Sequence, residues 1–254
     1  LVRLNYKHTT LLLCCGAGAA LAAIFKAPIT GVVFVLEILM LDITAASVIP
    51  LLIASITATT MAFVLRGFDP ILAVTLAPED AFELWQIPLF ILLGILCGLM
   101  AWYFTSMNSR VGGLFKRIDK QWKRWLLGGS ILGILIFIFP PLYGEGYEGF
   151  TALMHGNTLS LFDNSFFYRF RDIDWVVILF IIATMFFKVI AMASTNAAGG
   201  VGGTFAPSLF VGAFTGATLA LLCNMLFHWE VSVVSIPLVG MAGVMSGGME
   251  APLT

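Results

Sequence analysis

Gly199-Gly200-Val201-Gly202-Gly203-Thr204-Phe205-Ala206-Pro207 lies between two long apolar segments, about 175–193 and 208–227. A helix does not run through it, because each glycine costs roughly 1 kcal/mol against alanine in a helix interior. Irregular backbone at membrane depth is tolerated where protein buries it or where it lines a cavity. Pro207 suits the first turn of a new helix, where its missing N–H is not needed. The stretch therefore predicts a helix N-terminus rimmed by backbone N–H groups and opening inside an apolar layer. Such an end can hold an anion without a positive side chain.

The composition sets the layer. The 254 residues are 60% hydrophobic and 11% charged, with a mean hydropathy of +1.01. That is outside the range of a soluble domain and fits an all-α integral membrane protein of several spans. The net charge of −1 favours no partner, and no basic run suggests nucleic acid. Cys14, Cys15, Cys97 and Cys223 sit in apolar surroundings without metal-ligand spacing and read as core residues. His8, His155 and His228 are isolated and form no metal pattern. No metal and no cofactor are expected. The chain begins at Leu1 and stops at Thr254 inside what reads as a helix start, so both ends are expected to be internal points of a longer protein.

Five crossing spans are predicted near 44–66, 86–109, 125–142, 174–193 and 208–227. Shorter apolar segments at 10–25, 28–41 and 234–249 contain Gly or Pro and read as broken or tilted helices. The linker 110–124 carries Arg110, Lys116, Arg117, Lys120, Lys123 and Arg124 against Asp119, which makes it cytoplasmic. The preceding loop, with Asp69, Glu79, Asp80 and Glu83, belongs on the other side, as does the polar segment 143–174, bounded by Trp175.

Residues 15–30 align without gaps on 239–254. Gly16 falls on Gly240, Ala27-Pro28 on Ala251-Pro252, and Ile29-Thr30 on Leu253-Thr254. Five spans between the copies give them opposite directions, the pattern of an inverted repeat with its site at the midplane.

These residues resemble a known family. Gly203-Thr204-Phe205-Ala206-Pro207 is similar to the G-x-F-x-P motif of the CLC chloride channels and chloride/proton antiporters. The segment Gly16–Glu37, with Phe25-Lys26-Ala27-Pro28, Gly31 and Phe34-Val35-Leu36-Glu37, resembles the family's small-residue helix and the helix after it. The resemblance implies a CLC-type inverted-repeat helical bundle that carries chloride or another small anion across a lipid bilayer. It implies a homodimer with a pore in each subunit, in a bacterial-type plasma (inner) membrane. It also implies a division into the end of the first repeat (1–67), an extracytoplasmic linker (68–85) and most of the second repeat (86–254). Of the family's four pathway regions the chain holds one, G-x-F-x-P. The gating-glutamate loop is expected upstream, and the late tyrosine helix downstream.

The site expected from this resemblance is Gly203, Thr204, Phe205, Ala206 and Pro207, with the Thr204 and Phe205 amides on the ion and the Phe205 ring as an apolar wall. The residues themselves also allow a glycine hinge that lets helices pack closely. Lys188, within an apolar span, either raises the anion concentration along the entry path or snorkels or pairs with a carboxylate. Glu37, near the end of its helix, lines an inner vestibule or is a polar end facing water. Asp42 reads as the cytoplasmic boundary. In many CLC antiporters this helix ends in two adjacent acids, the second of which relays protons. Here the pair reads Glu37-Ile38, and isoleucine has no exchangeable proton. That favours a channel, or an antiporter using another inner acid, over the two-glutamate exchanger, with proton-coupled antiport as the alternative. Outside the family, a polytopic membrane enzyme needs a Ser/His pair, H-E-x-x-H or clustered Asp residues at depth, none of which the sequence contains. Glu145 and Glu148 flank Tyr147 in a Gly-rich segment without a nucleophile beside them. A non-transporting scaffold would show no ordered anion at 203–207.

Overall fold

The structure is a computed structural model of the chain, and it describes residues 5–39, 44–67, 83–154, 157–163, 165–171, 173–229 and 231–251. The described residues contain helices and no strand. Asp42, Asp69, Glu79, Asp80, His155 and the Pro252-Leu253-Thr254 end of the second repeat copy lie outside them. The chain divides into two compact units, residues 1–73 with 249–254, and residues 74–248.

The first unit contains α1 (Tyr6–Phe25), α2 (Pro28–Ile38) and α3 (Ala45–Arg66). The glycines at 16 and 18 do not interrupt α1, so of the expected broken or tilted helix within 10–25 the break is absent, and this helix is long and apolar enough to cross a membrane. Gly18 instead gives α2 a close approach, since a Cβ there would lie 2.9 Å from the Gly31 carbonyl oxygen. Lys26 ends α1 in the left-handed region at φ 54°, and the Ala27 N–H donates to the Ala22 carbonyl at 3.2 Å. This six-residue closure is a Schellman-type stop, after which Pro28 starts α2. The Lys26 ammonium donates to the Gly67 carbonyl at 2.7 Å, just past the end of α3, where a cation is favoured by the helix dipole.

The second unit holds α4 (Ile87–Lys116), α5 (Gln121–Ile138), α6 (Tyr147–Met154), α7 (Asp174–Ala198), α8 (Phe205–Phe227) and α9 (Ser235–Met249) as far as Gly248. α4 runs on to Lys116, so Arg110 and Lys116 are helical and the basic linker shrinks to residues 117–120. α5 ends at Ile138, ahead of Pro140-Pro141, which removes the last residues of the expected 125–142 span. Its apolar stretch 125–138 covers about 21 Å, against a hydrocarbon core of about 30 Å. Among the described residues, α1, α3, α4 with the turn before it, α7 and α8 are long and apolar enough to cross.

α8 forms the middle of this unit. Nearly every residue from Pro207 to Ala220 is buried, as expected for a helix apolar on all sides. α7 and α4 pack against it. Against α9 the fit is backbone to backbone, because a Cβ on Gly216 would lie 2.6 Å from the Ile236 carbonyl oxygen. Small residues allow this approach where lipid supplies no hydrophobic drive for helices to associate.

The repeat leaves a local trace in the backbone. α9 ends as α1 does, on a left-handed non-glycine residue, Glu250 at φ 57°. The alignment that sets Gly16 on Gly240 also sets Lys26 on Glu250.

Candidate anion site

α7 stops at Ala198 because Gly199 takes φ 97°, a value that an L side chain strains to reach. The Gly199 and Gly200 N–H groups donate to Asn196 and Thr195 carbonyls, closing the helix end. Residues 200–203 follow without regular structure, and α8 begins at Phe205 with Thr204 as its N-cap. A Cβ on Gly200 would fall 2.9 Å from the Thr195 carbonyl oxygen, and one on Gly202 would strike the Asn196 side chain. The glycines thus fold the loop down onto the end of α7.

The first intrahelical bond of α8 runs from the Ser208 N–H to the Thr204 carbonyl at 3.0 Å. The backbone N–H groups of a helix's first turn point out of its N-terminal end, and Pro207, at the third position, has no N–H to orphan. Thr204 is a good capping residue type whose side chain makes no capping bond. The cap's usual targets are the second and third N–H groups, and proline has removed the third. The first turn carries no acid, so nothing charged on the helix opposes an anion there.

Burial rises steeply through the motif. Val201, Gly202 and Gly203 are exposed, Thr204, Phe205 and Ala206 are half-buried, and Pro207 and Ser208 are buried. The Ser208 hydroxyl donates to the Phe205 carbonyl at 2.7 Å and braces the first turn. Sequence reading passed over Ser208 and Asn196. Their signal was available: a polar residue directly after the motif proline, and an amide three residues before the first glycine.

Lys188 lies on α7 in the same unit and is 2% exposed, so it does not snorkel. Its ammonium donates to the Leu142 carbonyl at 3.2 Å and the Gly144 carbonyl at 2.9 Å, and lies 4.9 Å from the centre of the Phe210 ring. Lys188 is thus built into the packing between α7, α8 and segment 142–146. Glu37 lies half-buried in the last turn of α2, in the first unit, with Ile38 after it.

A cavity of about 620 Å³ opens in the segment beyond α5, lined by Tyr143, Glu145, Tyr147, Glu148 and Asp163 among others. Its carboxylates make it unsuited to an anion, and residues 199–207 do not line it. Burial, with the Glu145 carboxylate second, pushes the Tyr147 phenol up to about 12. Among the described residues, no three His, Cys, Asp or Glu side chains gather as a metal site.

The family model described as voltage gated chloride channel matches residues 1–254. A putative chloride channel protein, ClcB-like, from Ralstonia nicotianae is 31% identical over 252 residues, 98% of this chain and 54% of that protein. The H(+)/Cl(-) exchange transporter ClcA of Vibrio cholerae is 28% identical, over 96% of this chain and 49% of its own length. The voltage-gated ClC-type chloride channel ClcB of Escherichia coli is 27% identical, over 96% and 54%. The chain spans about half the length of these relatives. With its all-α apolar architecture and its G-x-F-x-P helix start, the chain belongs to the voltage-gated chloride channel family.

Proposed function

We propose that the protein moves chloride across a bacterial-type inner membrane, holding the ion on backbone amides at the start of α8. The observation that carries this is a long apolar helix that starts at Thr204–Phe205 beside a glycine loop, with no side-chain cap, no acid in its first turn and a proline at its third position. Amides supply partial positive charge at the end of a long helix, so the ion is attracted yet free to leave. Phe205 provides the apolar wall. The glycine-hinge reading accounts for the closeness of Gly200 and Gly202 to α7, but not for a proline set where it deletes a capping target. In this reading residues 1–67 end the first repeat, 68–85 link, and 86–254 make up most of the second, with the remaining pathway regions outside the chain. The working form is a homodimer.

Proton-coupled exchange is the second reading, favoured by the exchanger among the relatives. Glu37-Ile38 supports the channel.

Chloride efflux from liposomes holding the whole protein tests the amide site through Ala206→Pro, which deletes one donor without changing charge. A hydrogen bond to a charged partner is worth about 1.5–3 kcal/mol. Efflux is expected to fall about tenfold or more at low chloride while the variant stays monodisperse. Unchanged efflux would remove the Ala206 amide from the pathway.

A further inference from the structure

The corner between α4 and α5 carries a second kind of site. Lys116 lies in the last turn of α4, Lys120 caps α5, and Lys123 lies in its first turn; all three are exposed. Arg124 is spent differently: its Nε donates to the Ile118 carbonyl at 2.6 Å and pins the linker into a tight turn. The corner is held from behind too, since a Cβ on Gly128 would lie 3.6 Å from the Phe115 ring and 3.2 Å from the Ser194 carbonyl oxygen. The cations are therefore presented on a fixed turn. Asp119 is the one acid among them.

Below the cations runs an apolar stripe. Trp122, Leu126, Ile134 and Phe137 repeat at helical spacing along α5 and are 57%, 66%, 60% and 67% exposed. The Lys123 ammonium lies 5.8 Å from the centre of the Trp122 ring, where the charged collar meets the stripe. A soluble anion has no use for the stripe, and a neutral lipid has none for the collar. From this pairing we infer that the α4–α5 corner binds one anionic phospholipid, its phosphate on Lys116, Lys120 and Lys123 and an acyl chain along α5. Basic clusters next to membrane helices recognise anionic headgroups in this way. The site is separate from the anion pathway and rests only on the chain's being a membrane protein.

Native mass spectrometry of the whole protein in detergent, titrated with phosphatidylglycerol or with phosphatidylcholine, reads the binding. Each cation near a charged headgroup contributes about fivefold in affinity. Phosphatidylglycerol is expected to bind at least tenfold more tightly than phosphatidylcholine. Lys116→Gln should weaken it about fivefold and Lys120→Gln/Lys123→Gln about 25-fold, with Arg169→Gln, on a different segment, leaving it unchanged. Inorganic phosphate at equal concentration should not displace the lipid. Equal affinity for the two lipids, wild-type binding by the double variant, or displacement by phosphate would each overturn the assignment. The graded single variant keeps the test decisive if the double variant is poorly folded.

Discussion

The Lys188 ammonium lies 4.9 Å from the centre of the Phe210 ring, on the same helix as Phe205 and about 7.5 Å further along its axis. The contact ties α7 to α8 in the unit that carries the anion motif. Through the Leu142 and Gly144 carbonyls the same ammonium ties in the segment after α5. Lys188→Met strands both carbonyls, at about 1–3 kcal/mol for each group left unsatisfied. The thermal midpoint should fall, and hydrogen exchange should speed up selectively over residues 142–149. Wild-type exchange there would show that Lys188 does not hold the segment.

The basic corner sets the orientation. Residues 117–120 should face the cytoplasm and 143–173 the opposite side, by the excess of Lys and Arg around the α4–α5 turn, which requires the short α5 and the residues after it to reach across together. In a cysteine-free background, Arg117→Cys should resist an impermeant thiol reagent in intact cells and Tyr143→Cys should react. The reverse pattern would invert the topology.

Tyr147 gives a pH signature. Its phenol is pushed up to about 12 in the folded protein, against an ordinary value near 10. A group whose folded value is raised stabilises fully below its unfolded value, and that contribution fades as pH rises from about 10 through 12. Tyrosinate absorbance should show a late-titrating phenol that disappears in Tyr147→Phe. An identical titration in the two proteins would place the late phenol elsewhere.

Glu37 decides between channel and exchanger. With Ile38 beside it, a two-acid relay is missing. A chloride gradient imposed on liposomes holding the whole protein should drive no uphill proton movement, in wild type or in Glu37→Gln. Coupled proton movement lost in the mutant would make Glu37 the relay. Coupling that survives in it would make the protein an exchanger with its acid elsewhere.

Much of this was legible in the residues. The loop at 199–203 follows from glycine's helix cost and the start of α8 from Pro207; α7 runs five residues past the expected 193, and α8 starts three residues before the expected 208. The short α2 and α9 were legible for the same reason, each set off by Gly or Pro. That α1 is unbroken was not legible, because a glycine has two opposite uses in membrane helices. Gly18 lets a neighbour approach rather than breaking the helix, and spacing does not tell which. The place of Lys188 was not legible at all. Its partners are backbone carbonyls some 45 residues earlier in the chain, and a carbonyl leaves no mark in a sequence.

If the start of α8 holds the transported ion, bromide will take its place there. Crystals of the whole protein soaked in bromide should give an anomalous peak within hydrogen-bond reach of the Thr204 and Phe205 amides, about 3.0–3.5 Å from the nitrogens given the large ion. The peak should weaken in Ala206→Pro. A well-ordered loop at 199–207 with no bromide beside it, at high bromide concentration, would put the ion elsewhere in the protein.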